Sequence, residues 1–373
     1  MDVVLRGADR LLLDKAYASL APSMERDNVA RQCISLYIIT LIATLILYFG
    51  IAGLSYLFIY DKRMMRHPRF LKNQVRLEIK MSVSGFPILD IMTLPWFLGE
   101  CRGYSLMYEG IANSPFGHGR AGGIAYIVAS SALFLWFTDF LIYIVHRVLH
   151  WPSVYKRLHK PHHRWVIPTP FSSHAFHPLD GYLQSLPYHI FVYIVPLHKY
   201  TYIGLFIVVN LWSIFIHDSD MIVGHPLERI INGPAHHTLH HMYFVYNYGQ
   251  YFTWADRAGG SYRHPVKSDD PLHAVLAADA KKMYAAEKEA MRILDVEERN
   301  RSRGSAAVEL CRAESQSSGV SAGEKDRSDS GFETGSTSGS ECSDGAETTT
   351  PRTVASAMST SAAGGKKQAR RRK

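Results

Sequence analysis

Fifteen of the chain's 19 histidines lie between His146 and His241, a window of about a quarter of its 373 residues. Three groups carry the spacing of metal ligands. "HRVLH" sets His146 and His150 four apart, one helical turn on one face. "HKPHH" supplies His159, His162 and His163, and "HTLHH" supplies His237, His240 and His241. Both repeat offsets of three and four, which on a helix again converge on one face, although Pro161 suits a first turn better than a helix interior. Imidazole is a good ligand for zinc, copper, iron and nickel. One metal does not need eight imidazoles, so two ions is the simplest count. No CxxC pair and no Glu-x-x-His carboxylate pattern accompanies the boxes, which argues against a thiolate zinc site and against the soluble carboxylate di-iron bundle. An all-imidazole pair beside so much apolar sequence points to two iron ions and O2 chemistry, because iron is redox-active and zinc is not. His217, next to Asp218 at the end of an apolar run, is the favoured ninth ligand. The roles of His174, His177 and His236 stay open. Asp180, Asp218, Asp220 and Asp256 are candidates to orient ligand rings. Isolated histidines such as His67, His118, His264 and His273 read as ordinary core or surface residues.

Those boxes need elements that bring them to one place. Cys33 to Tyr60 contains no charge and is long enough to span a bilayer, which takes about 20 apolar residues. Lys62, Arg63, Arg66, Arg69, Lys72, Arg76 and Lys80 follow at once, which by the positive-inside rule puts residues 61–80 in the cytosol. Met81 to Gly99 is a second, weaker span, kinked by Pro87 and Pro95 and holding Asp90. Gly122 to Val145 is a third with one charge, Asp139, which reads equally as a structural contact or a catalytic group. Residues 182–216 are apolar but broken at Pro196, His198 and Lys199, so they read as a helical hairpin that crosses at least partly. A hairpin returns the chain to the side it left, and only then do the first two boxes and the last share a compartment.

Five regions follow: an N-terminal segment (1–32), an N-terminal transmembrane region with its basic loop (33–121), a catalytic region with the three boxes (122–265), a C-terminal helical segment (266–301), and a Ser/Thr/Gly-rich tail (302–373) too polar to bury a core and expected to be disordered. The fold class is all-α, a multi-span membrane bundle with a histidine-rich di-iron site at its cytosolic face. The net charge of +8 sits beside the apolar runs, which favours a membrane surface over nucleic acid as partner. The early charges of both signs argue against a cleavable signal peptide. Four cysteines without paired spacing fit a reducing compartment.

"HRVLH", "HKPHHRW", "SHAFHPLDGYLQSLPYH" and "INGPAHHTLHHMYFVYNYGQYFTWADRAGGSYR" resemble, in residue and order, the fatty-acid-hydroxylase superfamily and within it the sterol C-5 desaturases. The resemblance spans roughly residues 120–265 and excludes the polar tail. It implies an endoplasmic-reticulum membrane enzyme whose two iron ions are held by the three boxes. It further implies removal of two hydrogens at C5 and C6 of a delta-7 sterol such as episterol, on the way to ergosterol. O2 would be consumed, with electrons from NAD(P)H through cytochrome b5 and its reductase. An external donor fits a chain without a haem segment or a GxGxxG motif. The competing readings are a hydroxylase or C-4 methyl oxidase of the same superfamily, and a catalytically dead sterol- or metal-binding membrane protein. "MYFVYNYGQYFTW" reads as packing around the site, with Tyr243, Tyr246 and Tyr251 alternatively an interfacial belt.

Overall fold

A computed structural model describes residues 1–317. Contacts divide the chain into two units, Met1–Glu298 and Arg299–Lys373, and every feature of the site lies in the first. Helices α1 (Asp2–Ala8) and α2 (Asp14–Leu20) open the chain. Asn28 then starts α3 (Val29–Leu47) by accepting the N–H groups of Ala30 and Arg31 at 2.9 and 3.2 Å, which satisfies two orphan donors of the first turn. A π turn carries α3 into α4 (Gly53–Phe58), so the charge-free run is one 30-residue apolar rod. With α5 (Gln74–Cys101) and α6 (Gly119–Leu149), three helices are long and apolar enough to cross a membrane.

The packing has the polarity of a membrane protein. Ile34, Ile38, Ile42 and Ile46 form an outward stripe on α3, each 47–67% exposed. Ser35, Thr40, Ser82, Asp90, Thr138 and Asp139 point inward and are buried. In water that arrangement would be inverted; against lipid tails the apolar stripe is the solvated one.

After α6 and the short α7 (Pro152–Tyr155), the broken apolar run forms the expected hairpin, α8 (Pro178–Ile194) and α9 (Lys199–Phe215). Its turn docks on the α5–α6 connection: Leu106 donates to Val192, Tyr108 to Leu197, and Lys199 back to Tyr108 at 2.8–3.1 Å. The hairpin therefore reaches the end of the bundle where α5 finishes and α6 begins. Lys199 also pairs there with Asp2 at 2.6 Å. Phe134 and Ile142 of α6 pack on Phe191 and Val192 of α8 and on Tyr202 and Val209 of α9. Tyr48 and Phe86 join Phe171 and Ile214, tying α3 and α5 to the hairpin. The opposite end receives the C-terminus of α6, the start of α8 and the end of α9, and with them all three boxes.

The third box lies on α10 (Pro234–Tyr243), and α11 (Trp254–Ala258) follows a tight turn. The second box is not a continuous helix: His159 sits in a turn and His162–Arg164 form a single 3-10 turn entered through Pro161. The C-terminal helix, α12 (Leu272–Ser317), is longer than the sequence suggests. Residues 302–317, expected to open a disordered tail, continue it, since Ala306, Ala307, Glu309 and Leu310 are strong helix formers. The rest of the expected tail, 318–373, lies outside the described residues. Among the described residues there are two isolated β-bridges and no strand.

Candidate metal centre

The eight histidines of the boxes and His217 fall into two clusters. His146, His150, His159, His163 and His240 form one; His162, His217, His237 and His241 form the other. Within each, the converging ring nitrogens lie within 4.8 Å of one another. The three boxes do not each make a site. Box two splits, giving His159 and His163 to the first cluster and His162 to the second. Box three splits likewise, with His240 in the first and His237 and His241 in the second. His217, delivered by the end of α9, completes the second.

Hydrogen bonding fixes the protonation of five rings. The Nδ1–H groups of His146, His217, His240 and His241 donate to the carbonyls of Tyr248 (2.9 Å), Ser213 (2.6 Å), Tyr246 (2.7 Å) and Trp165 (3.0 Å). His159 Nδ1 donates to Asp180 Oδ2 at 2.7 Å. Carbonyl and carboxylate oxygens only accept, so each of these nitrogens carries the proton and each neutral ring turns a bare Nε2 lone pair inward. Two of those lone pairs meet directly, His146 and His159, with Nε2 atoms 3.0 Å apart. The other locked rings face His163 and His237, with Nε2–Nε2 separations of 3.1 Å for His159–His163, 3.1 Å for His163–His240 and 2.9 Å for His217–His237. Acceptor facing acceptor, as in His146–His159, repels unless a cation lies between. Nitrogens at right angles on a metal with bonds of about 2.1 Å are about 3 Å apart, which matches. The donor set therefore fits a metal in each cluster.

Burial agrees. His162, His163, His237, His240 and His241 are held well below the usual imidazole range, by desolvation first and by neighbouring rings second. His217 is pushed down to about 3, again by burial. Proton uptake is suppressed, and the lone pairs stay available.

The stretch "MYFVYNYGQYFTW" is the clamp on the rings. α10 ends at Phe244, which adopts a left-handed φ of 68°, a strained conformation for a bulky residue, with its ring 5.0 Å from that of His163. Asn247 (φ 55°) turns the chain again, its amide bridging the carbonyls of His236 and Arg263. These reversals aim the carbonyls of Tyr246 and Tyr248 at His240 and His146. Asp256 holds the turn by accepting from Tyr248 N at 2.9 Å and Gly249 N at 2.8 Å. A Cβ on Gly249 would stand 2.6 Å from the Phe252 carbonyl, so only glycine fits. Asp139, from the middle of α6, accepts the N–H groups of Gln250, Tyr251 and Phe252 at 2.7–3.2 Å. Its role is structural.

Of the four carboxylates expected to orient ligands, Asp180 touches a ligand ring and Asp256 acts through the backbone. Asp218 accepts from Asp220 N, shaping the turn after His217. Neither of those two shows a contact to a ligand ring. His177 caps α8 through Leu179 N. The His236 ring lies tilted against that of Tyr262, 5.8 Å between centroids, and belongs to neither cluster. Tyr251 is no belt residue; it is buried and its hydroxyl meets that of Tyr188 at 3.1 Å. The acceptors Trp165, Tyr246 and Tyr248 were invisible to sequence reading because they act through main-chain oxygens.

A cavity of about 330 Å³, lined mainly by apolar side chains, opens onto the centre. α3, α5, α8 and α9 wall it, from Phe97 and Tyr202 towards one end to His146, His159, His162, His217 and His237 at the other.

Residues 131–261 match the fatty acid hydroxylase family. The chain is 53% identical to human lathosterol oxidase over 266 residues, 71% of this chain and 86% of that protein. It is 49% identical to a Delta(7)-sterol 5(6)-desaturase of Aspergillus fumigatus over 74% of this chain and 93% of the relative, and 49% identical to one of Schizosaccharomyces pombe over 71% and 84%. The chain belongs to the fatty acid hydroxylase family. No solved structure matches it. The family and the two histidine clusters together point to a metal site, and the three helices long and apolar enough to cross a membrane point to membrane association.

Proposed function

We propose that this chain is a sterol C-5 desaturase. It takes one hydrogen from C5 and one from C6 of a delta-7 sterol, episterol in a fungal-type pathway, to give a 5,7-diene. O2 and two further electrons carry the balance to two molecules of water. The observation that carries the reading is a largely apolar, bundle-bounded cavity ending on two clusters of inward-facing imidazole lone pairs.

Two iron ions are the metals that suit the reaction. His146, His150, His159, His163 and His240 would hold one, and His162, His217, His237 and His241 the other. Bound iron supplies the redox chemistry with O2 that no side chain here can perform. The protein's share is positional. Tyr248, Asp180, Ser213, Tyr246 and Trp165 lock five rings in the ligating tautomer before substrate arrives. The apolar walls dissolve the sterol rings and keep water from the reacting carbons. Electrons come from NAD(P)H through cytochrome b5 and its reductase. Basic residues at the histidine end of the bundle favour a cytosol-facing centre in the endoplasmic reticulum membrane.

The test is the sterol profile of cells lacking their own C-5 desaturase, with and without this chain. Restored 5,7-diene, read by its conjugated ultraviolet absorption, supports the reading. An alcohol or a C-4 oxidised product from the same cells would replace it with a sibling oxidase. His240→Ala, which removes a ligand of the first cluster, is expected to abolish diene formation while the protein still reaches the membrane; full activity would sink the ligand assignment.

A further inference from the structure

We propose that Asn210, oriented by His174, binds the 3-hydroxyl of the sterol substrate. The inference rests on the desaturase reading above and adds the group that sets the substrate's depth. α9 reads "KYTYIGLFIVVNLWSIF", and Asn210 is its one amide. An amide in so apolar a helix is costly unless it meets a partner, and it usually marks a pathway or a site. Asn210 lies two helical turns before His217 and so on the same face. Both line the cavity, together with Ser173, His174 and Ser213.

The hydrogen bonds say what Asn210 has to offer. Nδ2 donates to Phe206 O at 2.7 Å, which leaves Oδ1 facing His174 Nε2 at 3.3 Å. An amide oxygen only accepts, so His174 carries its proton on Nε2. Burial pushes the His174 ring down to about 4, so it is neutral and its Nδ1 is bare. That nitrogen lies 2.9 Å from the Ser173 hydroxyl, whose single proton is shared with Pro170 O at 2.8 Å. The Phe206 carbonyl and His174 thus fix the amide's orientation. One N–H of Nδ2 and one lone pair of Oδ1 remain unspent. A donor beside an acceptor is what a hydroxyl group takes.

Sterol chemistry supplies the need. The hydroxyl stands on C3, three bonds from C5 and four from C6. When those carbons face the histidine clusters, the hydroxyl is held at the same end of the cavity, away from water. A buried hydroxyl without a partner is strongly disfavoured. Two of the cavity's other polar groups are committed elsewhere, while His189 Nδ1 and Tyr202 Oη lie buried without a partner beside Phe97 and Phe206. Gln184 donates to Asp180, the residue that holds His159. Asp90 and Thr40 are bonded to each other at 2.5 Å, further along the spans.

The experiment uses the full chain in membranes from cells lacking C-5 desaturase. It supplies a delta-7 sterol and its 3-deoxy counterpart and reads diene formation per molecule of membrane-inserted, metal-loaded protein. The unsubstituted chain is expected to prefer the free sterol by at least about tenfold in kcat/KM. Asn210→Leu is expected to lose turnover of the sterol while leaving the 3-deoxy compound unaffected, so that the ratio falls towards one. Asn210→Ser, which restores a smaller donor and acceptor, is expected to recover part of the preference. A ratio unchanged by both substitutions, or equal losses on both compounds, overturns the assignment while the desaturase reading stands. If the unsubstituted chain forms no diene from either compound, the desaturase reading falls and this inference with it.

Discussion

Asp180 shows how much of the centre depends on groups that do not ligate. One carboxylate oxygen accepts from His159 Nδ1 at 2.7 Å and the other from Gln184 Nε2 at 2.7 Å. Asn at this position keeps one acceptor and turns an N–H against one of two donors. Asp180→Asn is therefore expected to lower metal affinity by about 10- to 100-fold, read by equilibrium dialysis of the purified protein; unchanged affinity would deny the carboxylate its role. The clusters also carry a pH signature. His217 titrates near 6.5 when unfolded and near 3 when folded, because burial penalises its charged form. A depressed value means that its contribution to stability is complete above about pH 6.5 and is lost as pH falls towards 3. While the fold persists, the buried rings should therefore keep their metal until the pH approaches the folded-state value of about 3. Loss of metal at pH 5 from protein whose fold is intact would contradict this. The clustered histidines were legible as residues, since repeated three- and four-residue offsets advertise convergence. Their allocation to two clusters was not: His162 and His163, and likewise His240 and His241 on α10, are neighbours in sequence yet belong to different clusters, because successive side chains of a helical turn point about 100° or more apart and the packing decides which cluster each one meets.

The elements divide along the same line. The helices were readable because a charge-free run of about 28 residues has few alternatives to a span, and because Pro196 and Lys199 mark a hairpin turn. The 244–253 turn was not readable, since its course is set by acceptors far away in sequence. Asp139 lies more than 110 residues before the three N–H groups it satisfies. Asp139→Ala leaves those donors buried without an acceptor, a loss of about 3 kcal/mol. It is expected to lower Tm and to reduce bound metal as well, because the same turn carries the Tyr248 and Tyr246 carbonyls to His146 and His240. Loss of Tm with full metal content would separate the turn from the centre. α12 errs in the opposite direction: alanine and glutamate past Gly304 carry the helix to Ser317, where composition alone had suggested a disordered tail.

At the scale of the molecule, orientation in the membrane is the consequence most open to test. The chain enters α3 from the end where Lys199 meets Asp2 and reaches the histidine end at residue 58. α5 returns it, α6 brings it back, and the α8–α9 hairpin leaves and re-enters at the histidine end. Both turns and boxes thus share one end, where Arg63, Arg66, Arg69, Arg147, Lys156, Arg157, Lys160 and Arg164 collect. The other end, residues 102–118, carries Arg102 against Glu109 and no comparable excess. Basic loops are retained on the cytosolic side, so the histidine end is expected to face the cytosol and the 102–118 connection the lumen. Glycosylation acceptors introduced at residues 112–116 should be modified in endoplasmic-reticulum membranes, and acceptors at residues 156–160 or 222–226 should not. The second pair is the sharper test. If residues 156–160 were shielded but 222–226 modified, the hairpin would cross only once, and the second cluster could not draw His162 from one side and His217 from the other. Modification of both histidine-end sites together would leave the bundle intact and reverse its orientation, placing the metal centre away from a cytosolic electron donor.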